Sequence, residues 1–160
     1  MRKTVIEDVT KKSSSFSVGF LDLEQMARVE ISSESQDHPI ENALLDGMSS
    51  GWQASQCGEQ MIRLIFDQPQ TIKHIQLIFD EQKQARTQAF VLLWRKENEA
   101  NFQEILRQEY HFSPPFTSRQ IEDYAVDLKQ LSVLELRIIP DISGGDVHAA
   151  LTRLRLSILE

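Results

Sequence analysis

Two acids and a histidine near the end of the sequence are candidates for metal ligands. Asp141, Asp146 and His148 lie close together in a stretch that also contains Gly144 and Gly145. A transition-metal site in a protein normally needs three or four nitrogen, oxygen or sulfur ligands that converge on one point. Two acids and one histidine in a glycine-containing loop occur readily by chance, so we predict no metal site and no cofactor.

The one cysteine is the candidate for a nucleophile. Cys57 is followed by Gly58 and Glu59, and no basic residue lies near it in sequence to favour a thiolate. The sequence also lacks a glycine-rich phosphate loop, a Gly-x-Ser-x-Gly turn, a His-Glu-x-x-His pattern and a Cys-x-x-Cys pair. Nothing in the sequence therefore points to an enzyme, and we predict a protein that binds a ligand without transforming it.

The composition narrows the class of protein. The chain has 160 residues, of which 41% are hydrophobic, and this suits one folded domain and excludes an intrinsically disordered chain. The net charge of −7 is opposite to that of most proteins that bind nucleic acid or anionic membranes, so nucleic acid is an unexpected partner. A single cysteine cannot form an internal disulfide, which fits a reducing compartment.

The ends of the sequence add two expectations. No apolar run approaches the roughly 20 residues that span a bilayer, and the N-terminus lacks the apolar segment of a secretory signal. We therefore expect a cytoplasmic protein without a membrane partner. Residues 1–15 are polar and end in three serines, so we predict a mobile tail or a short edge strand there, followed by a single domain over residues 16–160. The oligomeric state does not follow from the sequence.

Most of the chain alternates between apolar and polar residues, which is the pattern of strands with one buried face. In residues 27–32, for example, Ala27, Val29 and Ile31 fall on one face and the polar residues fall on the other. Further segments of this kind, some of them nearly continuous apolar runs, are residues 62–66, 72–79, 89–94, 102–107, 124–128, 134–139 and 154–158.

Two places break the alternation. Residues 39–45 begin with Pro39, which suits the first helical position, and end before Asp46-Gly47, so we predict one or two helical turns. Residues 67–70 contain Pro69 and are predicted to be a turn that ends strand pairing. About eight short strands and one short helix predict an all-β fold, an antiparallel β-sandwich of the jelly-roll type. The alternative is a mixed α+β domain in which residues 97–110, rich in Glu and Gln, are helical.

The order of these segments resembles a known family. A strand that ends at Ser32-Ser33 is followed by IENALLDG at residues 40–47 and then by Gly51-Trp52. Paired strands follow, with Arg86 ahead of an apolar strand. Over residues 27–159 this order resembles the discoidin, or coagulation-factor type C, domains of the galactose-binding-like superfamily. Within that range, residues 86–92 and 136–143 are similar to a small bacterial group described as carbohydrate-binding proteins.

Two relatives with other activities are also similar. Residues 33–45 resemble the start of the N-terminal domain of a single-strand-break repair scaffold. Residues 145–148 and the strand after them resemble the end of the DOC domain of the anaphase-promoting complex. Because this sandwich carries several kinds of binding, the resemblance implies two hypotheses. The first is recognition of a carbohydrate, and the second is an adaptor that binds another protein inside the cell.

The resemblance also bears on calcium. In the family, calcium often lies under the Asp-Gly loop and takes a glutamate from the last strand. Asp46 matches the loop carboxylate, and Arg153 matches the position of the glutamate. Since arginine offers no oxygen to a hard cation, we interpret Asp46 as a turn residue beside Gly47 and expect no calcium.

Finally, the resemblance implies where a sugar would bind. Loops at one end of such sandwiches hold polar groups that bond to hydroxyls, often beside an aromatic ring. The matching stretches are residues 33–41, 80–86 and 141–148, and none contains Trp, Tyr or Phe. Arg86 is the strongest candidate, because a charged residue that opens an apolar strand can point into a pocket; a salt bridge with Asp80 or Glu81 is the alternative. The candidate ligand-binding residues are Gln36, Asp37, His38, Asp80, Arg86, Asp146 and His148.

Overall fold

Residues 19–48 and 50–159 are described by the computed structural model of the protein. The predicted tail, residues 1–15, and the predicted start of the domain at residue 16 lie outside these ranges. Within them the chain forms two short helices and eight strands. In chain order these are α1 (Leu23–Met26), β1 (Ala27–Ile31), α2 (Glu41–Leu44), β2 (Trp52–Cys57), β3 (Gln60–Asp80), β4 (Arg86–Lys96), β5 (Gln103–Phe112), β6 (Arg119–Ile139), β7 (His148–Leu151) and β8 (Arg153–Ser157).

Two long strands, β3 and β6, form the frame of the sandwich. Each has 21 residues, and they pair antiparallel with each other as a two-stranded ribbon. Hydrogen bonds join them into one six-stranded sheet of order β1-β3-β6-β4-β5, with β8 beside β3. A bend in the ribbon divides this sheet into two parts, which we call the first sheet, where β1 pairs with residues 62–66 of β3, and the second sheet, where β8 pairs with residues 74–78. β2 and β7 form a separate antiparallel pair. This arrangement confirms the predicted antiparallel β-sandwich.

The apolar faces of the strands meet between the sheets, as the alternation predicts. Ile62 and Leu64 of the first sheet and Ile75 and Leu77 of the second are all at most 1% exposed. Burial of an aliphatic side chain of this size contributes about 1.5–3 kcal/mol. Because every second residue of these strands is apolar, one register buries all of them and a slip by one residue would expose them.

The predicted turn at residues 67–70 is instead the bend of the ribbon. β3 continues through it, and the pairing with β6 is interrupted between Ile65 and Gln70. Pro69, which has no N–H to donate, lies in this gap. On β6, Gln130 takes a φ of 61° beside the bend. The proline therefore interrupts the pairing, as expected, but the strand does not end there.

The helical content differs from the prediction in one place. The helix expected near residues 39–45 is confirmed as α2, whereas α1 was not expected. The mixed α+β alternative is wrong, because β5 pairs along its length with β4 and follows a turn at Asn98 with a φ of 67°. No helix within the described ranges has the length and apolar character to cross a membrane.

The three loop regions implied for ligand binding come together at one end of the sandwich. We call this the loop end; it comprises residues 32–40, 81–85, 113–118 and 140–147. Backbone hydrogen bonds connect it: Ile142 N donates to the Thr87 carbonyl at 2.9 Å, and Gly58 N donates to the Val147 carbonyl at 3.1 Å. The loop from 140 to 147 therefore links the β4 side of this end to the β2 side.

Candidate functional site

An open depression of about 510 Å³ lies at the loop end, beside β2 and β7. Most of its lining comes from the loop after β1 and from β2, and β7 contributes its first residue. The lining residues are Glu34, Ser35, Gln36, Asp37, His38, Gln53, Ala54, Ser55 and His148.

A glycine precedes β2, the strand that forms one side of the depression. Gly51 has a φ of +75°, and a Cβ at this position would lie 2.8 Å from the Leu151 carbonyl oxygen. The close approach of the two strands places Trp52 in the core, where it is 1% exposed. Its indole Nε1–H donates to the Ser33 carbonyl at 3.0 Å. The buried tryptophan thus fixes the loop after β1 to β2.

Further hydrogen bonds hold this loop in place. The Ser33 hydroxyl donates to Gln60 Oε1 at 2.7 Å. Ser35 N donates to the Gln53 carbonyl at 2.8 Å, and Gln53 N donates to the His38 carbonyl at 3.1 Å. Backbone groups of residues 35–38 are therefore tied to β2, which leaves the side chains of the loop free to face solvent or a ligand.

His148 enters the depression in a defined tautomer. Its Nδ1 lies 3.0 Å from the Ala54 carbonyl oxygen. A carbonyl can only accept, so Nδ1 carries the hydrogen, and in the neutral ring Nε2 is an acceptor. Within the described chain Nε2 has no hydrogen-bond partner, so it is available to accept from a ligand hydroxyl.

The depression contains several polar side chains whose hydrogen-bonding groups are unoccupied. The side chains of Gln36, Asp37, His38 and Gln53 make no hydrogen bond to any described residue. The Ser35 hydroxyl is buried and also lacks a partner among those residues. An unsatisfied buried polar group costs free energy. A ligand rich in hydroxyl groups would satisfy these groups, because it offers donors and acceptors at short intervals.

Arg86, the strongest candidate from the sequence, lies elsewhere and is buried. It is 4% exposed. Its Nε donates to Glu81 Oε1 at 2.6 Å, and its Nη1 donates to the Pro140 carbonyl at 2.6 Å. The guanidinium also lies 4.8 Å from the centre of the Phe112 ring. These contacts favour the salt-bridge interpretation: Arg86 connects two loops of the loop end and does not line the depression.

A network of hydrogen-bonded polar side chains extends from Arg86 into the interior of the sandwich. Its Nη1 donates to the buried Gln88 at 3.3 Å, and Gln88 Nε2 donates to Gln120 Oε1 at 3.4 Å. Gln120 in turn donates to Glu122 Oε2 at 2.7 Å. Burial and the neighbouring Glu122 carboxylate raise the pKa of Tyr124. This network is satisfied internally and stabilises the sandwich on the side away from the depression.

Asp80 also forms contacts within the protein. Arg119 donates to both of its carboxylate oxygens, at 2.8 and 3.2 Å, and the Thr152 hydroxyl donates at 2.7 Å. Burial alone would raise the pKa of Asp80, but the hydrogen bonds from Arg119 and Thr152 outweigh it and lower that pKa. Asp146 is exposed in the loop after β6 and is not part of the lining.

The structure thus brings four of the candidates together, Gln36, Asp37, His38 and His148, and it separates Asp80, Arg86 and Asp146 from them. Ser35, Gln53 and Ser55 line the same depression but were not among the candidates. The sequence held a signal for the residues of β2, because Gln53 and Ser55 alternate with the buried Trp52 and Ala54.

A positively charged side chain of β8 lies beside the Asp-Gly loop. Arg155 reaches Asp46, with Nε 3.5 Å from Oδ1, rather than Arg153, which the resemblance matched to the glutamate position. Its guanidinium donates to the Ala43 carbonyl at 2.8 Å and to the Leu45 carbonyl at 3.0 Å, at the end of α2. Burial lowers the pKa of Arg155. The described residues contain no group of three or more His, Cys, Asp or Glu that could hold a metal ion.

Comparison with known proteins identifies the family. The sequence profile of the XRCC1 N-terminal domain matches residues 22–126 of this chain. The chain belongs to the XRCC1 N-terminal domain family. No curated protein matches the sequence.

Solved structures similar to this chain have the same fold at low sequence identity. A pectin-binding carbohydrate-binding module is 18% identical, with a TM-score of 0.59 and coverage of 82% of this chain and 90% of the other. The family 32 module of Clostridium perfringens NanJ in complex with galactose is 12% identical, with a TM-score of 0.60 and coverage of 86% and 97%. Reduced XRCC1 bound to the catalytic domain of DNA pol beta is 14% identical, with a TM-score of 0.59 and coverage of 84% and 99%. The fold that the resemblance to galactose-binding-like domains implied is therefore confirmed.

Proposed function

We propose that the protein is a non-catalytic module that binds a carbohydrate in the depression at its loop end. One observation carries the proposal. The depression gathers polar side chains that have no partner within the described chain, whereas the polar side chains of the neighbouring Arg86 region satisfy each other. Groups held open in this way match the closely spaced hydroxyls of a sugar.

The comparisons support the class of ligand. Two of the similar structures are carbohydrate-binding modules, one described as pectin binding and one in complex with galactose. Their likeness to this chain lies in the fold, so the choice of sugar must come from this chain's own side chains.

We assign the following contacts in the bound state. His148 Nε2 accepts from a hydroxyl, because its Nδ1–H is fixed on the Ala54 carbonyl. The amide of Gln53 can donate to one sugar oxygen and accept from a neighbouring hydroxyl. None of the described Trp, Tyr and Phe residues lines the depression. We therefore expect no contribution from stacking, and a single sugar unit should bind with a Kd of roughly 1 mM.

A titration with single sugars tests the proposal. Galactose, glucose, glucosamine and N-acetylglucosamine are added to the ¹⁵N-labelled protein at up to 50-fold the expected Kd, and amide shifts are followed by NMR. We expect at least one sugar to shift the amides of residues 34–38 and 53–55. His148→Ala should weaken that binding about fivefold, since one hydrogen bond to the ligand contributes on the order of 1 kcal/mol.

His74→Ala is the matched control. His74 lies on β3, half exposed, and its imidazole contacts Asp123 rather than the depression. This variant should bind sugar like the wild-type protein. The proposal fails if all four sugars leave the spectrum unchanged, or if His148→Ala and His74→Ala have the same affinity as the wild-type protein.

A second candidate function is binding of another protein, and one feature of the surface favours it. Phe116 is 88% exposed at the tip of the loop between β5 and β6. That loop is ordered by its own hydrogen bonds, since Ser113 N donates to the Thr117 carbonyl at 2.8 Å and Phe116 N donates to the Ser113 carbonyl at 2.9 Å. An exposed aromatic side chain on an ordered loop is a common anchor of protein interfaces. The similar structure of XRCC1 bound to a pol beta domain supports this class of function.

A photo-crosslinking experiment separates the two candidates. A photoreactive phenylalanine analogue replaces Phe116 in one variant and Phe102, a half-buried residue near β5, in the other. A protein interface at the loop between β5 and β6 predicts a crosslinked partner at position 116 alone. Equal crosslinking at both positions, or none in cell extract, would exclude this interface and leave the sugar hypothesis unaffected.

A further inference from the structure

The charges of the depression point to a particular class of sugar; this inference rests on the proposed function. The depression is lined by two carboxylates, Glu34 and Asp37, and the described residues contribute no Lys or Arg to the lining. We infer that the site favours a sugar with a free ammonium group, a hexosamine, over a neutral sugar, and that it disfavours uronic acids and other anionic sugars.

A backbone hydrogen bond positions one of the two carboxylates, that of Glu34. Glu34 Oε1 accepts from Ile40 N at 2.9 Å, which holds the side chain against the loop and leaves its second oxygen free of any bond to the described residues. Asp37 makes no side-chain hydrogen bond within the described chain. Both residues are exposed at the rim, so their charges act on a ligand without the large cost of burying an ion.

The hydrogen-bonding character of the site agrees with its charge. Carboxylates can only accept, and His148 Nε2 also accepts while the ring is neutral. A protonated amine has three N–H donors and a positive charge, so it satisfies acceptors of this kind better than a hydroxyl does. A uronate would place a third carboxylate beside Glu34 and Asp37, and no described Lys or Arg lines the depression to offset the repulsion.

A matched ligand series tests the inference. Glucosamine, glucose and glucuronic acid keep the same ring hydroxyls except at the substituted carbon and differ in charge by one unit at each step. Galactosamine, galactose and galacturonic acid repeat the comparison with the opposite configuration of the hydroxyl at C4. Affinities are measured by calorimetry at pH 7.0, where most of the sugar amine is protonated and a free imidazole is mostly neutral, at about 20 mM and about 300 mM salt.

We expect the amine to bind about fivefold more tightly than the neutral sugar at low salt, and the uronic acid to bind at least fivefold more weakly. These differences should shrink at high salt, because exposed charges are screened. Asp37→Asn and Glu34→Gln should each reduce the ratio of amine to neutral affinity to about two or less. Glu109→Gln, which removes an exposed carboxylate on β5, should leave the ratio unchanged.

The possible results separate this inference from the function on which it rests. Equal affinity for the three members of a series, tighter binding of the uronic acid, or an unchanged ratio in Asp37→Asn and Glu34→Gln would overturn the inference while sugar binding stands. Absence of binding by every sugar would overturn the proposed function and the inference together.

Discussion

The loop end contains two polar regions built from similar kinds of residue. They differ in whether their hydrogen-bonding groups find partners within the protein. In the Arg86 region the guanidinium, the Glu81 carboxylate and the Pro140 carbonyl satisfy one another in a nearly dry environment. In the depression, Gln53 and His148 are open to solvent and keep unoccupied groups. Residue type therefore does not separate a binding region from a structural one. The distinction is whether the protein itself satisfies the hydrogen-bonding groups.

Removal of Arg86 should have the largest effect on stability. Arg86→Ala would leave the Glu81 carboxylate mostly buried without its cation, and loss of one partner of a buried ion pair costs about 3–5 kcal/mol. Urea unfolding followed by circular dichroism measures this change. Arg107→Ala, which removes an exposed arginine paired with Glu104, is the control and should shift the midpoint far less. Equal midpoints for the two variants would contradict the structural role of Arg86.

Removal of the Arg155 side chain should have the next largest effect on stability. Its guanidinium is 5% exposed and satisfies the carbonyls at the end of α2, so Arg155→Ala should cost about 2–3 kcal/mol and should shift the amide signals of residues 34–38, which precede that helix. Arg153→Ala, on the same strand but half exposed, should change little.

The same guanidinium predicts how the protein responds to metal removal. EDTA should leave the unfolding midpoint of the wild-type protein unchanged, because Arg155 supplies the positive charge beside Asp46. A midpoint that falls with EDTA, or that rises with added calcium, would show that a metal ion stabilises this loop after all.

Acid should lower the free energy of unfolding by a smaller amount, through protonation of Asp80 and Glu81. Burial acts to raise the pKa of Asp80 and of Glu81, but hydrogen bonds from Arg119 and Arg86 lower both values in the folded state. Their contribution is therefore complete above the unfolded-state pKa near 4 and is lost as pH falls through the lower folded-state values. The Asp80 side chain is 24% exposed and pairs with the exposed Arg119, so we expect its contribution to stay below about 1 kcal/mol.

We therefore expect the free energy of unfolding to fall between pH 5 and pH 3, and we expect Asp80→Asn combined with Glu81→Gln to flatten that decline. Equilibrium unfolding at five pH values is the measurement. A decline as steep in the double variant as in the wild-type protein would assign the acid sensitivity to other carboxylates.

Substitution in the depression should affect stability least. His148→Ala removes one hydrogen bond, to the Ala54 carbonyl, from an exposed side chain. We expect a change of about 0.5 kcal/mol or less, measured by the same urea unfolding. A loss comparable to that of Arg86→Ala would mean that His148 is structural, and the contrast between the two regions would disappear.

The sequence predicts the strands well because burial on one face imposes a period of two. Leu134, Leu136 and Ile138, for example, are all at most 1% exposed, as their alternation requires. The prediction from alternation is wrong for Arg155, because the pattern places this residue on the solvent-facing side of the strand. α2 covers that face of β8 and buries the residue. A contact between segments so distant in sequence leaves no trace in the local pattern.

The site was predictable only in part for the same reason. Gln36, Asp37 and His38 are neighbours in one loop, and the resemblance was enough to place them at the loop end. Arg86 and His148 look alike in sequence, as charged or polar residues that open a strand. Only their partners distinguish them, and those partners, Glu81 and the Pro140 carbonyl for one and the Ala54 carbonyl for the other, depend on the three-dimensional packing.

The continuity of β3 and β6 across the bend has a mechanical consequence. Because the same two strands belong to both layers, neither layer can peel away while the other stays intact. We expect the amides on either side of Pro69 to exchange with deuterium at rates that reflect one shared opening event rather than two separate ones. A ligand bound beside β2 would then slow proton exchange throughout the ribbon, including at positions it does not touch.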